Sequence, residues 1–204
     1  MKILFSSYLI FLVCFSNLNY LFGQNQGQIN NYLFVSNQGN NDNSGFYPDS
    51  AFKTIAKAME MAALYEISNI RLLAGSYEET VFLKEGINLT GGFDPNGEKC
   101  NDCYTVITGN RQQNINGHVV AIYGKNIDYE THLTDITIMT KDAVWIIDSI
   151  YGTSTYGFFL DSVSGLYLEN IIIHAGNAAF GRDGENGIAI TDTAERGQDG
   201  KNGY

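Results

Sequence analysis

Leu133-Thr-Asp-Ile-Thr-Ile138 returns 35 residues later as Leu168-Glu-Asn-Ile-Ile-Ile173, and this return decides how the chain is built. In both hexamers the third residue is Asp or Asn, side chains that tolerate a left-handed backbone and hydrogen-bond across a bend. A turn there sends the isoleucines that follow into one interior, where each stacks on its counterpart. A second inexact pair, Ile87-Asn-Leu-Thr-Gly91 and Thr105-Val-Ile-Thr-Gly109, repeats the pattern of a short β-branched run ended by a turn residue. Such self-similarity is the signature of a stack of coils in which each strand pairs with its equivalent one coil on.

The neighbouring segments follow the same rule. Ile70-Arg-Leu-Leu73 runs to Ala74-Gly75, Thr80-Val-Phe-Leu83 to Glu85-Gly86, and Ile87-Asn-Leu-Thr90 to Gly91-Gly92. No two-residue hairpin signal joins these runs, so a meander is a poor fit and an all-β solenoid a good one. At a strand spacing of about 4.8 Å, six or seven coils would form a column roughly 30 Å tall. Upstream, Tyr32-Leu-Phe-Val-Ser36 reads as a strand and Asn37 to Gly45 as a loop. One helix is expected at about residues 50–65, capped by Asp49 or Ser50, with Phe52, Ile55, Ala56, Met59, Ala62 and Ala63 on its apolar face. Its small side chains suit it to lie flat against the end of a sheet stack.

The first 23 residues read as an export signal. Met1-Lys2 precedes an apolar run from Ile3 to Phe15, and Gly23 is a small residue at which a signal peptidase can cut. The run is too short for the roughly 20 residues of a spanning helix, so no stable membrane span is expected after cleavage. The expectation is a secreted or cell-surface protein whose residues 24–31 form a flexible, Asn/Gln-rich lead. Export fixes the reading of the cysteines. With Cys14 removed, Cys100 and Cys103 remain, in Cys-Asn-Asp-Cys, and a local disulfide pinning a turn is expected. Zinc would need two further soft or imidazole ligands, and His118, His132 and His174 are not clustered with the pair.

Composition narrows the partners. Charged residues make up 17% of the chain, and its formal charge of −10 comes from 12 basic and 22 acidic groups. A nucleic-acid binder presents a basic face to the phosphates, so no nucleic-acid partner is expected. The last segment, residues 177–204, reads as a Gly-rich loop or linker, with Gly181-Arg-Asp-Gly-Glu-Asn-Gly187 answered by Gly197-Gln-Asp-Gly-Lys-Asn-Gly203. Asp183, Asn186, Asp199 and Asn202 are hard oxygen donors with which calcium is a possible ligand, although their spacing differs from the nonapeptide calcium repeat. No cofactor is required. The repeat has no visible closing cap after it, which leads us to expect a fragment of a longer protein.

The order of Tyr32-Leu-Phe-Val-Ser36, Phe52-Lys-Thr-Ile-Ala56, Ala74-Gly-Ser-Tyr-Glu78, Gly91-Gly-Phe-Asp94 and Thr105-Val-Ile-Thr-Gly109 resembles secreted right-handed parallel β-helix proteins. The likeness is to the pectin-lyase-like superfamily, in particular uncharacterised bacterial surface proteins, and spans residues 32–176. It implies a right-handed parallel β-helix with three sheets, an N-terminal capping α-helix, export, and carbohydrate ligands.

Two chemistries then compete. Lyases of this fold resemble one another in using a Lys or Arg base beside calcium held by carboxylates, and the hydrolases use acid pairs. Asp135, Asp142, Asp148 and Asp161, with Lys125 and Lys141, are the residues available for such work, but no Asp-Asp or Asp-x-Asp recurs on one coil face. The non-catalytic reading rests on aromatics: Tyr123, Tyr129, Trp145, Tyr151 and Tyr156 fall where longer loops interrupt the coils, and sugar rings stack on such side chains. Phe158 and Phe159 lie in the same stretch and read as packing residues. The expected function is a surface module for adhesion, glycan binding or structural spacing. The alternative is the N-terminal part of a lyase or glycoside hydrolase acting on acidic polysaccharide.

Overall fold

The computed structural model describes residues 31–111, 115–144, 152–181, 183 and 187. The export signal at 1–23 and the lead up to residue 30 lie outside the described residues, as does most of the Gly-rich segment. The described chain is mostly β-strand with one α-helix. Among the described residues no helix is long and apolar enough to cross a membrane.

The strands are β1 (Leu33–Val35), β2 (Asn69–Leu73), β3 (Gly75–Glu78), β4 (Val81–Phe82), β5 (Asn88–Phe93), β6 (Thr105–Thr108), β7 (Val119–Ile127), β8 (Thr131–Met139), β9 (Thr155–Val163) and β10 (Leu166–His174). Every strand-to-strand pairing is parallel. One sheet runs β1-β2-β5-β8-β6-β3, with β10 also on β8, and the other runs β4-β7-β9. A branch of five strands runs through β1, β2, β5, β8 and β10.

Register turns these pairings into columns of apolar side chains. Leu33 lies over Ile70, Ile70 over Leu89, Leu89 over Leu133, and Leu133 over Leu168. A second column joins Tyr77, Ile107, Ile138 and Ile173, and a third joins Val81, Ile122 and Phe158. The first two are buried until their last members, where Leu168 and Ile173 are 48% and 49% exposed.

The two hexamers stack in register, Leu133 on Leu168, Ile136 on Ile171 and Ile138 on Ile173. Asp135 and Asn170 both hold left-handed backbones, with φ of 56° and 51°. The bend divides β8 between two partners. Its first part pairs with β5 through Leu133 and Thr134, and its second part pairs with β6 through Thr137 to Met139. The Ile87–Gly91 and Thr105–Gly109 runs, alike in sequence, therefore do not stack on each other; both lie beside β8. The glycine pair does not stop the earlier run either, since β5 continues through Gly91 and Gly92 to Phe93.

The helix, α1 (Ile55–Tyr65), begins later than its sequence pattern suggests. Asp49 and Ser50 sit in a separate 3-10 turn, Pro48–Ser50. Phe52 is drawn into a bridge with Val35, its N–H donating to Phe34 O at 3.0 Å, so tertiary pairing holds residues 51–52 extended. Thr54 is the cap, its hydroxyl accepting from Lys57 N at 3.2 Å. Ile55, Ala58, Met59 and Ala62 are buried, whereas Ala56 and Ala63 are exposed. This face packs on β1, β2 and β4, and β1 and β4 each lie at one end of their paths. The buried Glu79 carboxylate ties the helix down, accepting from Ile55 N at 2.8 Å and Ala56 N at 3.0 Å.

Candidate functional site: an aromatic stripe

The outward face of the β4-β7-β9 sheet carries aromatic side chains in register. Phe82 pairs with Tyr123 and Tyr123 with Phe159. The Phe82 and Tyr123 ring centroids lie 5.6 Å apart, and those of Tyr123 and Phe159 lie 5.9 Å apart at an interplanar angle of 22°. Tyr156 meets Phe159 edge-on at 5.5 Å, and His118 meets Tyr156 edge-on at 5.5 Å. The backbone produces this stripe by a local irregularity: Ala121 and Ile122 both belong to the core, and in β9 Gly157 faces Ile138 and Ile173 while the partly buried Phe158 packs against the core, so Tyr156 and Phe159 on either side emerge together. Phe82 remains 47% exposed, a large apolar group left at the surface. Tyr123 and Phe159 stack on each other, so the stripe offers a ligand the exposed Phe82 ring and the partly exposed edges of the others, an apolar surface ordered at low conformational cost.

Beside the stripe runs a charged row. Lys125 Nζ lies 3.1 Å from Asp161 Oδ2, and each group strengthens the charged form of the other: the bond to Asp161 raises the Lys125 pKa, and the bond from Lys125 lowers that of Asp161. Both are at the surface, so the pair orders side chains more than it stabilises the fold.

Of the five aromatics expected to bind ligand, Tyr123 and Tyr156 fall in the stripe. Tyr129 stands on the turn between β7 and β8, 73% exposed, and takes no part in these ring contacts. Trp145 and Tyr151 lie outside the described residues. Phe158 packs against the core as expected, but Phe159 does not: it joins the stripe, with Phe82 and His118. A sequence signal was present. Phe82-Leu-Lys84, Tyr123-Gly-Lys125 and Phe159-Leu-Asp161 share one aromatic-x-charge order, each just before a positive-φ residue, Gly86, Asn126 or Ser162.

The acids weighed for catalysis are taken up locally. Asp135 Oδ2 lies 2.6 Å from Lys99 Nζ, Asp142 accepts from Asn177 N at 2.7 Å, and Lys141 pairs with Glu78 at 2.6 Å. Asp148 lies outside the described residues. Of the four oxygen donors considered for calcium, Asp183 is described and exposed; Asn186, Asp199 and Asn202 lie outside. Among the described residues no group of three or more His, Cys, Asp and Glu side chains converges. Cys100 and Cys103 form a disulfide, with Cα atoms 5.4 Å apart. Asn88, which heads an Asn-x-Thr sequon, is engaged with Asn69 Oδ1 and His132 N.

Comparison with family models, with curated proteins and with solved structures finds no match for this chain.

Proposed function

We propose that this chain is a secreted or cell-surface module of the right-handed parallel β-helix type, non-catalytic, that holds glycan on the aromatic stripe of Phe82, Tyr123, Phe159 and Tyr156. The observation that carries the reading is the in-register run of outward aromatics over three successive strands. Aromatic side chains repeated on three adjacent strands offer successive apolar contacts to a repeating ligand, and a polysaccharide is such a ligand. The β-helix reading is supported by parallel columns of core residues that recur across connections of many residues, and by left-handed bends at matching positions of paired strands. Parallel crossovers are right-handed in about 98% of cases. The non-catalytic reading is supported by the local pairing of Asp135 and Asp161 with lysines.

The test is a glycan array run on the purified chain alongside a turnover assay on acidic polysaccharides, with and without calcium. Binding without turnover, weakened at least tenfold by Tyr123→Ala, is expected. Calcium-dependent formation of unsaturated product would overturn the reading in favour of a lyase.

A further inference from the structure

A concave surface lies on the other sheet, beside the loop that connects β5 to β6. The loop is tightly built. Asp94 N donates to Glu98 O at 2.8 Å, Asp94 Oδ1 accepts from Asn96 N and Glu98 N at 2.9 Å each, and Cys100 N donates to Gly92 O at 3.1 Å. These bonds hold the Asp94 carboxyl below its ordinary range, and the Cys100–Cys103 disulfide closes the loop's end. The loop overhangs the outward faces of β8 and β10, enclosing a shelf of about 290 Å³ lined by Lys99, Tyr104, Asp135, Thr137 and Asn170 beside the disulfide. The shelf is open on one side and sits at the bottom of the roughly 300–1,000 Å³ range of ligand pockets, a size that matches a single small ring.

The charges on the shelf cancel. Lys99 Nζ contacts Gly91 O, pairs with Asp135 Oδ2 at 2.6 Å and sits 4.8 Å above the Phe93 ring. Asp135 Oδ1 accepts from Asn170 Nδ2 at 3.0 Å. Gly92, at φ of 78°, lets the backbone pass close beneath Lys99, where a Cβ would stand 3.0 Å from Nζ. An anion would have to take Lys99 from Asp135, and a cation Asp135 from Lys99, each leaving a charge unpaired. A neutral ligand with hydroxyls meets no such cost. A carboxylate accepts up to about four hydrogen bonds, and the Asn170 amide and Thr137 hydroxyl both donate and accept. The Tyr104 ring, 68% exposed, supplies an apolar wall.

We infer that the shelf beneath the disulfide loop is a binding site for a single neutral pyranose ring, its hydroxyls held by Asp135, Asn170 and Lys99 and its apolar face set against Tyr104. The inference does not rest on the aromatic stripe. Tyr104, Asp135 and Asn170 belong to the first sheet and its loop, and Tyr123 and Phe159 to the second.

The test is a chemical-shift titration of the isotope-labelled chain. The neutral probes are the methyl α-pyranosides of glucose, galactose and mannose; the charged probes are glucuronate and glucosamine. At least one neutral glycoside should saturate shifts at Tyr104, Thr137 and Asn170 with Kd on the order of 1 mM. Tyr104→Ala, a change at an exposed side chain, and Asp135→Asn should each weaken it at least fivefold with the rest of the spectrum retained. No saturable shift at these residues from any neutral glycoside, tighter binding of a charged probe, or binding unaltered by both substitutions would overturn the inference. Shifts confined to Tyr123, Tyr156 and Phe159 would overturn it too, while supporting the stripe.

Discussion

Asn170 donates from its side-chain amide to Asp135 Oδ1 at 3.0 Å, and the two residues, on adjacent parallel strands, share the same left-handed backbone. The paired left-handed backbone recurs on the other sheet, where Asn126 and Ser162 have φ of 53° and 57°. The left-handed region costs an ordinary side chain about 1–2 kcal/mol, and Asn reduces that cost. Asn170→Val should therefore destabilise by about 1–2 kcal/mol, and Asn170→Gly by less, in denaturant midpoints. Equal effects of the two substitutions would remove backbone strain as the explanation.

Gly91 is required for a different reason. A Cβ there would stand 2.4 Å from the Asp135 carbonyl oxygen and 2.7 Å from Thr105 Cβ, so β5 approaches β8 and β6 more closely than any side chain permits. Gly91→Ala should cost about 1–3 kcal/mol and move the Thr105 and Asp135 amide resonances; an unshifted spectrum would mean the contact relaxes freely.

Tyr77 is buried, and its hydroxyl donates to Leu73 O at 2.7 Å and Val35 O at 3.0 Å. Burial holds its pKa far above the ordinary tyrosine value, so it stays a neutral donor throughout the working pH range. Removing a donor from buried carbonyls costs about 1–3 kcal/mol, and Tyr77→Phe should show a loss in that range on thermal unfolding.

Glu79 gives stability a pH dependence. Burial raises its pKa above the usual carboxylate range, outweighing the two N–H groups it accepts from, which lower it. A folded-state value above the unfolded one means that this group's contribution is full below about pH 4 and is lost as pH rises through the folded value. Glu79→Gln abolishes the titration. The stability of the wild type relative to the variant should fall as pH rises above about 4, and parallel curves would show that burial does not shift Glu79.

The disulfide should act locally. It closes a loop of only a few residues, and chain entropy gives such a link at most about 2 kcal/mol. Cys100→Ser with Cys103→Ser should leave the unfolding midpoint little changed while amide exchange quickens at residues 94–104; a large loss of midpoint would give the bridge a global role.

Much of this architecture was legible in the hexamers, because an Asp or Asn bend and the isoleucines after it repeat with unchanged spacing. The rest was hidden by unequal returns. The column Leu33, Ile70, Leu89, Leu133, Leu168 advances by 37, 19, 44 and then 35 residues, so no single period aligns its members. The same irregularity hid Phe82 from Tyr123 and Phe159, which sequence distance separates and strand pairing brings together. The helix start was misplaced because Phe52 pairs with Val35, a contact between segments that no local propensity encodes. The shelf was invisible for a like reason, since Lys99, Asp135 and Asn170 come from a loop and two strands far apart in the chain.

The two ends of the strand stack are chemically unlike. Helix α1 seals the β1 and β4 side with buried Ile55, Ala58, Met59 and Ala62, while the β9 and β10 side displays Leu160, Leu168 and Ile173 in the positions that face inward elsewhere. The molecule therefore has polarity. The β10 edge, carrying half-exposed apolar side chains, is the kind of edge that another strand can pair with, whereas β1 and β4 lie under a helix.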